Sequence, residues 1–163
     1  MIFEDFKNIV KAEFPDVTET AMSQFEAMDA LYRDWNSKIN VISRKDMDGF
    51  YEHHVLHSLG IAAWWRRQGI VSDGAGLTVL DLGTGGGFPG IPLAVLFPKM
   101  QFTLCDSIGK KVKVATEVAA ALGLQNVQTV NARAESLPGT FDFVVSRAVT
   151  SLDNFYPWVK GKF

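Results

Sequence analysis

Three sets of residues in this 163-residue chain have the types and spacing that chemistry needs. The stretch LDLGTGGGFPG, residues 80–90, places Asp81 ahead of five glycines. Asp106 ends the next apolar run, and Arg147 ends a later one. His53, His54 and His57 sit together at helical spacing. A glycine-rich turn between a strand and a helix brings backbone N–H groups and a helix N-terminus close to a ligand, with no Cβ atoms in the way.

The loop can be spelled in two registers. From Gly85 it reads GxGxxG, the dinucleotide fingerprint; from Asp81 it reads DxGxGxG. In the dinucleotide register a pyrophosphate would lie beside the Asp81 carboxylate, like charge against like. S-adenosylmethionine reverses that electrostatic sign, because its methionine end carries a sulfonium and an amino group and the molecule has no phosphate. Asp81, Gly83, Gly85 and Gly87 are therefore cofactor-binding candidates, with S-adenosylmethionine as the predicted cofactor. Asp106 can accept hydrogen bonds from ribose hydroxyls in either ligand class. NAD binding, and a tight turn capped by an acid, stay open as alternatives.

These residues require a scaffold of strands and helices. From residue 77 onward, short apolar runs alternate with helical segments, which predicts an α/β fold with a parallel sheet. Strands are predicted at 77–82, 101–106, 127–132 and 141–147, and helices at 89–97, 109–122 and 152–160. The first third reads as helical. Phe3, Phe6, Ile9 and Val10 recur before Pro15, and Asp16 with Glu19 forms a candidate capping box. Met22, Phe25, Met28, Leu31, Tyr32 and Trp35 then make an apolar stripe. A third helix, capped by Asp46, is predicted to run through Phe50, His54 and Leu59 towards Trp64 and Trp65, with a bend or break at Gly60. VSDGAG, residues 71–76, marks the boundary between a helical extension, 1–72, and a cofactor-binding domain, 73–163.

Bulk properties narrow the class. The chain is 47% hydrophobic with a formal net charge of −2, which fits a globular protein with one sizeable core rather than a polybasic nucleic-acid coat. Its single cysteine, Cys105, forms no disulfide within the chain and fits a reducing compartment. The acidic start MIFEDF lacks the pattern of a signal peptide, and no apolar run approaches the ~20 residues of a membrane span. A cytoplasmic monomer with no membrane partner is expected. The three histidines lack a cysteine or fixed carboxylate beside them, so no metal is expected, and His54 is expected to pack against the loop.

With its flanks added, the glycine loop resembles one family. LDLGTGGGFPGIPLAVLFP, FTLCDSIGKKVKV, NVQTVNARAESLP and FDFVVSRAVTSL, with WNSKINVIS and HHVLHSL upstream, resemble the RsmG (GidB) family, which methylates guanine N7 in 16S ribosomal RNA with S-adenosylmethionine. The resemblance spans roughly residues 31–160. It implies a Rossmann-like class I methyltransferase sheet with helices on both faces and an N-terminal helical extension. It also implies that Gly83 and Phe88 line the cofactor site, that Ala134 and Glu135 lie beside the adenosine, and that Arg147 sits where cofactor and target base meet. Two departures stand out: the family usually has aspartate where this chain has His57, and its members continue beyond this C-terminus, so C-terminal strands are expected to be missing.

Guanine N7 has a free lone pair and no proton, so methylation needs positioning and electrostatics rather than a general base. Arg147, whose fork can donate to guanine O6 or to a phosphate, is the candidate catalytic residue and also a cofactor-binding candidate. Lys110, Lys111 and Arg133 are the leading RNA-binding candidates; Arg44 with Lys45, Arg66 with Arg67, Lys113, and Lys160 with Lys162 are weaker ones. The expected partner is 16S rRNA or the 30S subunit. The competing readings are an NAD-dependent oxidoreductase and a cofactor-binding but inactive RNA-binding fragment.

Overall fold

The structure is a computed structural model that describes residues 1–147 and 152–163, with the side chains of 152–154 outside the description. Ala148 and Val149 of the SRAV stretch therefore lie outside the described residues.

The N-terminal third is helical because its apolar residues fall on one face. In α1 (Phe3–Glu13), Phe6 and Val10 are separated by one turn and both are fully buried. In α2 (Glu19–Lys38), Met22, Phe25, Met28 and Tyr32 form the buried stripe. Two helix starts differ from expectation. The cap of α2 is Thr18, which is extended and accepts the Ala21 N–H at 3.0 Å, so Asp16 is left in the preceding turn. Ser43 caps the short α3 (Arg44–Asp48), taking the Asp46 N–H at 3.2 Å and placing Asp46 inside the helix rather than at its cap.

The predicted third helix is a composite: α3, a π-helical segment (Tyr51–Leu56) and α4 (His57–Arg67). α4 continues through Gly60 without a break. Asn36 organises the turn before α3. Its Oδ1 accepts the N–H groups of Val41 and Ile42 at 2.8 and 2.9 Å, and its Nδ2 donates to the Ile42 carbonyl at 2.8 Å.

Beyond α4 lie β1 (Thr78–Leu82), α5 (Gly90–Leu96), β2 (Gln101–Asp106), α6 (Gly109–Ala121), β3 (Val127–Asn131), a 3₁₀ turn (Ala134–Ser136), β4 (Phe143–Val145) and α7 (Leu152–Val159). The four strands are parallel in the order β3-β2-β1-β4. From β1 the chain builds outward through β2 to β3, then returns to place β4 on the other side of β1. The reversal leaves a crevice beyond the carboxyl ends of β1 and β4, where open α/β sheets bind ligands. The glycine loop leaves β1 there, and Arg147 follows β4.

The period-2 alternation of β1 sends its side chains to two faces. Val79 joins Phe102, Leu104 and Val145 in a core shared with α1, α2, α4, α5 and α6. Leu80 and Leu82 join Cys105, Ala134 and Val159 on the face covered by α7 and the 3₁₀ turn. The fold is thus a Rossmann-like α/β sheet with helices on both faces. Strand β4 is shorter than the expected 141–147. The Phe141 N–H pairs with the Lys162 carbonyl, Asp142 accepts the Thr78 N–H, and the Ser146 hydroxyl donates to the Leu82 carbonyl, so loop contacts take the place of ladder pairs.

Candidate functional site

The glycine loop is tied down at both ends. Its first N–H groups, from Gly83 and Thr84, both donate to the Cys105 carbonyl at the end of β2, at 2.9 and 3.0 Å. Asp81 points to the face beneath α5 and has no exposed surface. Its Oδ2 accepts the Thr84 hydroxyl at 2.7 Å and the Gly90 N–H at 2.8 Å, fastening the loop's start to its end. Oδ1 has no hydrogen-bond partner among the described residues. Burial pushes the Asp81 carboxyl up from 3.8 to about 7, against the opposing pull of Thr84, Gly90 and Arg147.

Two cavities meet at this loop. The first, of about 470 Å³, lies over the ends of β2 and β3 and is lined by Asp106, Ile108, Arg133, Ala134, Glu135 and Trp158. Both Asp106 oxygens are already engaged: Oδ2 accepts the Gly85 N–H at 2.8 Å and Oδ1 the Ile108 N–H at 2.9 Å. Each keeps a further lone pair, so the carboxylate can still receive hydroxyl donors. Gly85 has a φ of 61°, which presents its N–H to Asp106 at little steric cost. Cys105 is buried at the floor of this cavity, donating to the Ala132 carbonyl at 3.3 Å.

The second cavity, of about 620 Å³, opens between the loop and the N-terminal helices. Phe88, Arg147, His54, His57, Val41 and Ser146 are among its walls. Phe88 anchors an aromatic cluster, with its ring centroid 4.8 Å from Tyr32 and 5.1 Å from His54. The Arg147 guanidinium lies 5.4 Å above the Phe88 ring, and its Nη2 stands 3.2 Å from His54 Nδ1. Burial lowers the Arg147 proton affinity, whereas Asp81, Asp46 and Tyr32 raise it. Arg147 nonetheless stays charged, as arginine does in proteins. Gly83, Gly85 and Lys111 line both cavities, which makes the first half of the loop a shared wall.

Most of the leading site candidates from the sequence come together here; three of them do not. Asp81 lines neither cavity and reaches them only through the loop it fastens. Gly87 faces away, and a Cβ there would meet Tyr32 Oη at 2.7 Å and Ile91 Cδ1 at 2.6 Å. Lys110 is exposed and lines neither cavity, whereas Lys111 and Arg133 line one or both. Arg66 and Arg67 are held at Glu13, the former through its carbonyl at 3.0 Å and the latter through its carboxylate at 2.9 Å.

Several wall-building residues were not singled out. Tyr32 donates to the Gly86 carbonyl at 2.9 Å, and Val41 would touch a Cβ at Gly86 at 3.1 Å, so α2 and the following turn clamp the loop from outside. Asp46 stands 3.4 Å from His53 and 3.8 Å from His54. Its only sequence signal was its place ahead of HHVLHSL, where it passed for a helix cap. Among the described residues, no group of His, Cys, Asp or Glu side chains is arranged to hold a metal ion, and no helix is long and apolar enough to cross a membrane.

A strand-ordered parallel sheet with an acid-led glycine loop after β1 and an acid closing β2 is the class I methyltransferase fold. The solved structure of a putative S-adenosyl-L-methionine-dependent methyltransferase from Methanococcus maripaludis has that fold, with a TM-score of 0.54 at 20% identity over 71% of this chain and 55% of that one. The sequence profile of rRNA small subunit methyltransferase G, GidB, matches residues 21–162, and the chain belongs to that family. Ribosomal RNA small subunit methyltransferase G of Bacteroides fragilis is 66% identical over 85% of this chain, which spans 65% of that relative. Its namesake from Bacteroides thetaiotaomicron is 59% identical over 93% of this chain, which spans 71% of that relative. None of these comparisons supports the nicotinamide alternative.

Proposed function

We propose that the chain binds S-adenosylmethionine and transfers its methyl group to guanine N7 in 16S ribosomal RNA. The observation that carries this reading is the pair of cavities sharing Gly83, Gly85 and Lys111. One has a carboxylate suited to ribose hydroxyls, and the other has a guanidinium suited to a guanine edge. The family and the fold support the same reading.

The residues present fit that cofactor. Asp106 would hold the ribose, Ala134 and Glu135 would flank the adenine, and the Gly83–Gly85 backbone would face the methionine portion. Asp81 retains an unpaired buried oxygen, a natural partner for positive charge nearby. When bound, S-adenosylmethionine supplies a methyl group on a cationic sulfur. The chain contributes orientation: Phe88 and Arg147 hold the accepting base, and Arg147 donates to its O6 or to a neighbouring phosphate. No general base is required, because N7 carries no proton.

Lys111 and Arg133, with Lys110 beside them, are the proposed phosphate contacts. The proposed domain division is a helical extension, 1–72, followed by the cofactor-binding domain, 73–163. The proposed setting is the cytoplasm, with a monomer acting on 16S rRNA or the 30S subunit. The test is incubation of the chain and labelled S-adenosylmethionine with 30S subunits and with naked 16S rRNA. Label recovered as 7-methylguanine is the expected result. Cofactor binding with no methyl transfer to either substrate would overturn the enzymatic reading in favour of a binding module.

A further inference from the structure

His54 is buried to 7% exposure in a cluster where only apolar packing would be expected, yet both of its nitrogens face charged groups. Nδ1 lies 3.2 Å from Arg147 Nη2, whereas Nε2 lies 3.8 Å from Asp46 Oδ2, beyond hydrogen-bond reach, and has no hydrogen-bond partner among the described residues. Arginine can only donate, so Nδ1 must be the acceptor, which places the ring proton on Nε2, on the side of Asp46. The ring also stacks near Phe88, over which the same guanidinium lies. His54 therefore touches Arg147 directly and touches the floor beneath it.

We infer that His54 is a positioning residue: as a neutral imidazole, it accepts a hydrogen bond from Arg147 and fixes that guanidinium over Phe88, leaving its other N–H groups for the methyl-accepting base. This inference rests on the proposed role of Arg147 in methyl transfer. Protonating His54 would turn Nδ1 into a donor facing a cation and release the arginine. The charged and titratable groups around it are Asp46 on α3, His53 on the π-helical segment, His57 at the start of α4 and Arg147 after β4. Burial first, and Arg147 second, depress the imidazole from 6.5 to about 4, so the neutral form persists at physiological pH.

The arrangement is testable with and without turnover. Imidazole nitrogen NMR of the full chain should show His54 as the Nε2–H tautomer and still neutral at pH 6, with its titration midpoint raised in Arg147→Ala. A His54 midpoint near 6.5, unmoved by Arg147→Ala, would overturn the pairing. In methyl transfer, His54→Leu keeps the bulk but loses the acceptor, and should lower kcat about tenfold with cofactor affinity within about twofold. His54→Asn, whose Oδ1 can stand in for Nδ1, should recover most of that loss. Equal impairment of the Leu and Asn variants at equal Tm would contradict a positioning role, as would full activity of the Leu variant. If the unsubstituted chain binds S-adenosylmethionine but transfers no methyl, the functional reading fails while the NMR arm still decides the Arg147–His54 pair.

Discussion

The two cavities flanking the glycine loop are built in opposite ways. The one at Asp106 is assembled mainly from neighbours in sequence order, the loop after β1, the end of β2 and the turn after β3, with Lys111 of α6 and Trp158 of α7 beside them. Its polar contacts are backbone N–H groups donating to one carboxylate. The cavity at Arg147 is assembled from segments distant in sequence: the turn after α2, α3 with the π-helical segment and the start of α4, the loop at Phe88, Lys111 of α6 and the end of β4. Its contacts are side chain to side chain, and several are buried. A site made by backbone suits a cofactor common to many enzymes. A site made by converging side chains suits a particular acceptor.

That contrast yields separable consequences, of which the largest belongs to the Arg147 side. Arg147→Ala should lower methyl transfer by about 100-fold in kcat, while S-adenosylmethionine affinity changes by less than about threefold. Single-turnover kinetics with calorimetry checks this, and an equal loss of both would merge the two cavities into one functional unit. Next comes Gly87, whose φ of 124° and contact with Tyr32 leave no place for a methyl group. Gly87→Ala should cost roughly 2 kcal/mol of stability in a denaturant titration, by backbone strain and overpacking, a structural role rather than a cofactor contact. Asp106→Ala should weaken cofactor binding by about tenfold with kcat nearly unchanged, as loss of charge-assisted hydrogen bonds implies.

A further expected effect concerns pH. The Asp81 carboxyl ionises near 3.8 when unfolded and at about 7 when buried in the fold. Between those values the folded chain holds a proton that the unfolded chain has lost, so stability falls as pH rises from about 4 to 7 and levels off above. Asp81→Asn keeps an acceptor for Thr84 and Gly90 but removes this ionisation. Its Tm relative to the unsubstituted chain should rise steadily across the same range. A constant difference would place the Asp81 proton elsewhere.

The same contrast decides what could be read in the sequence. The Asp106 side follows from local order: the expected strand 101–106 matches β2 to the residue, with the loop before it and Asp106 at its end. The charge argument at Asp81 identified the acid, but only the fold shows that it lies beneath the loop and is not fully ionised near neutrality. The Arg147 side has no local period. Tyr32 reads as one more apolar position in the α2 stripe, and its hydrogen bond to Gly86, 54 positions further along the chain, depends on the intervening chain folding back. Asp46 and Asp16 looked like caps because Ser43 and Thr18, each a few residues away, compete for the same role. Arg147 was visible through the family resemblance and through its place at a strand end, whereas its partner His54 was expected only to pack.

The central claim is that an acid-led glycine loop in this fold takes a cationic, phosphate-free cofactor. Calorimetric titration of the chain with S-adenosylmethionine and with NAD, repeated from pH 6 to 8, tests it most directly. S-adenosylmethionine should bind, and bind more tightly as pH rises and Asp81 ionises, while NAD gives no saturable heat. Saturable NAD binding with no response to S-adenosylmethionine would contradict the claim.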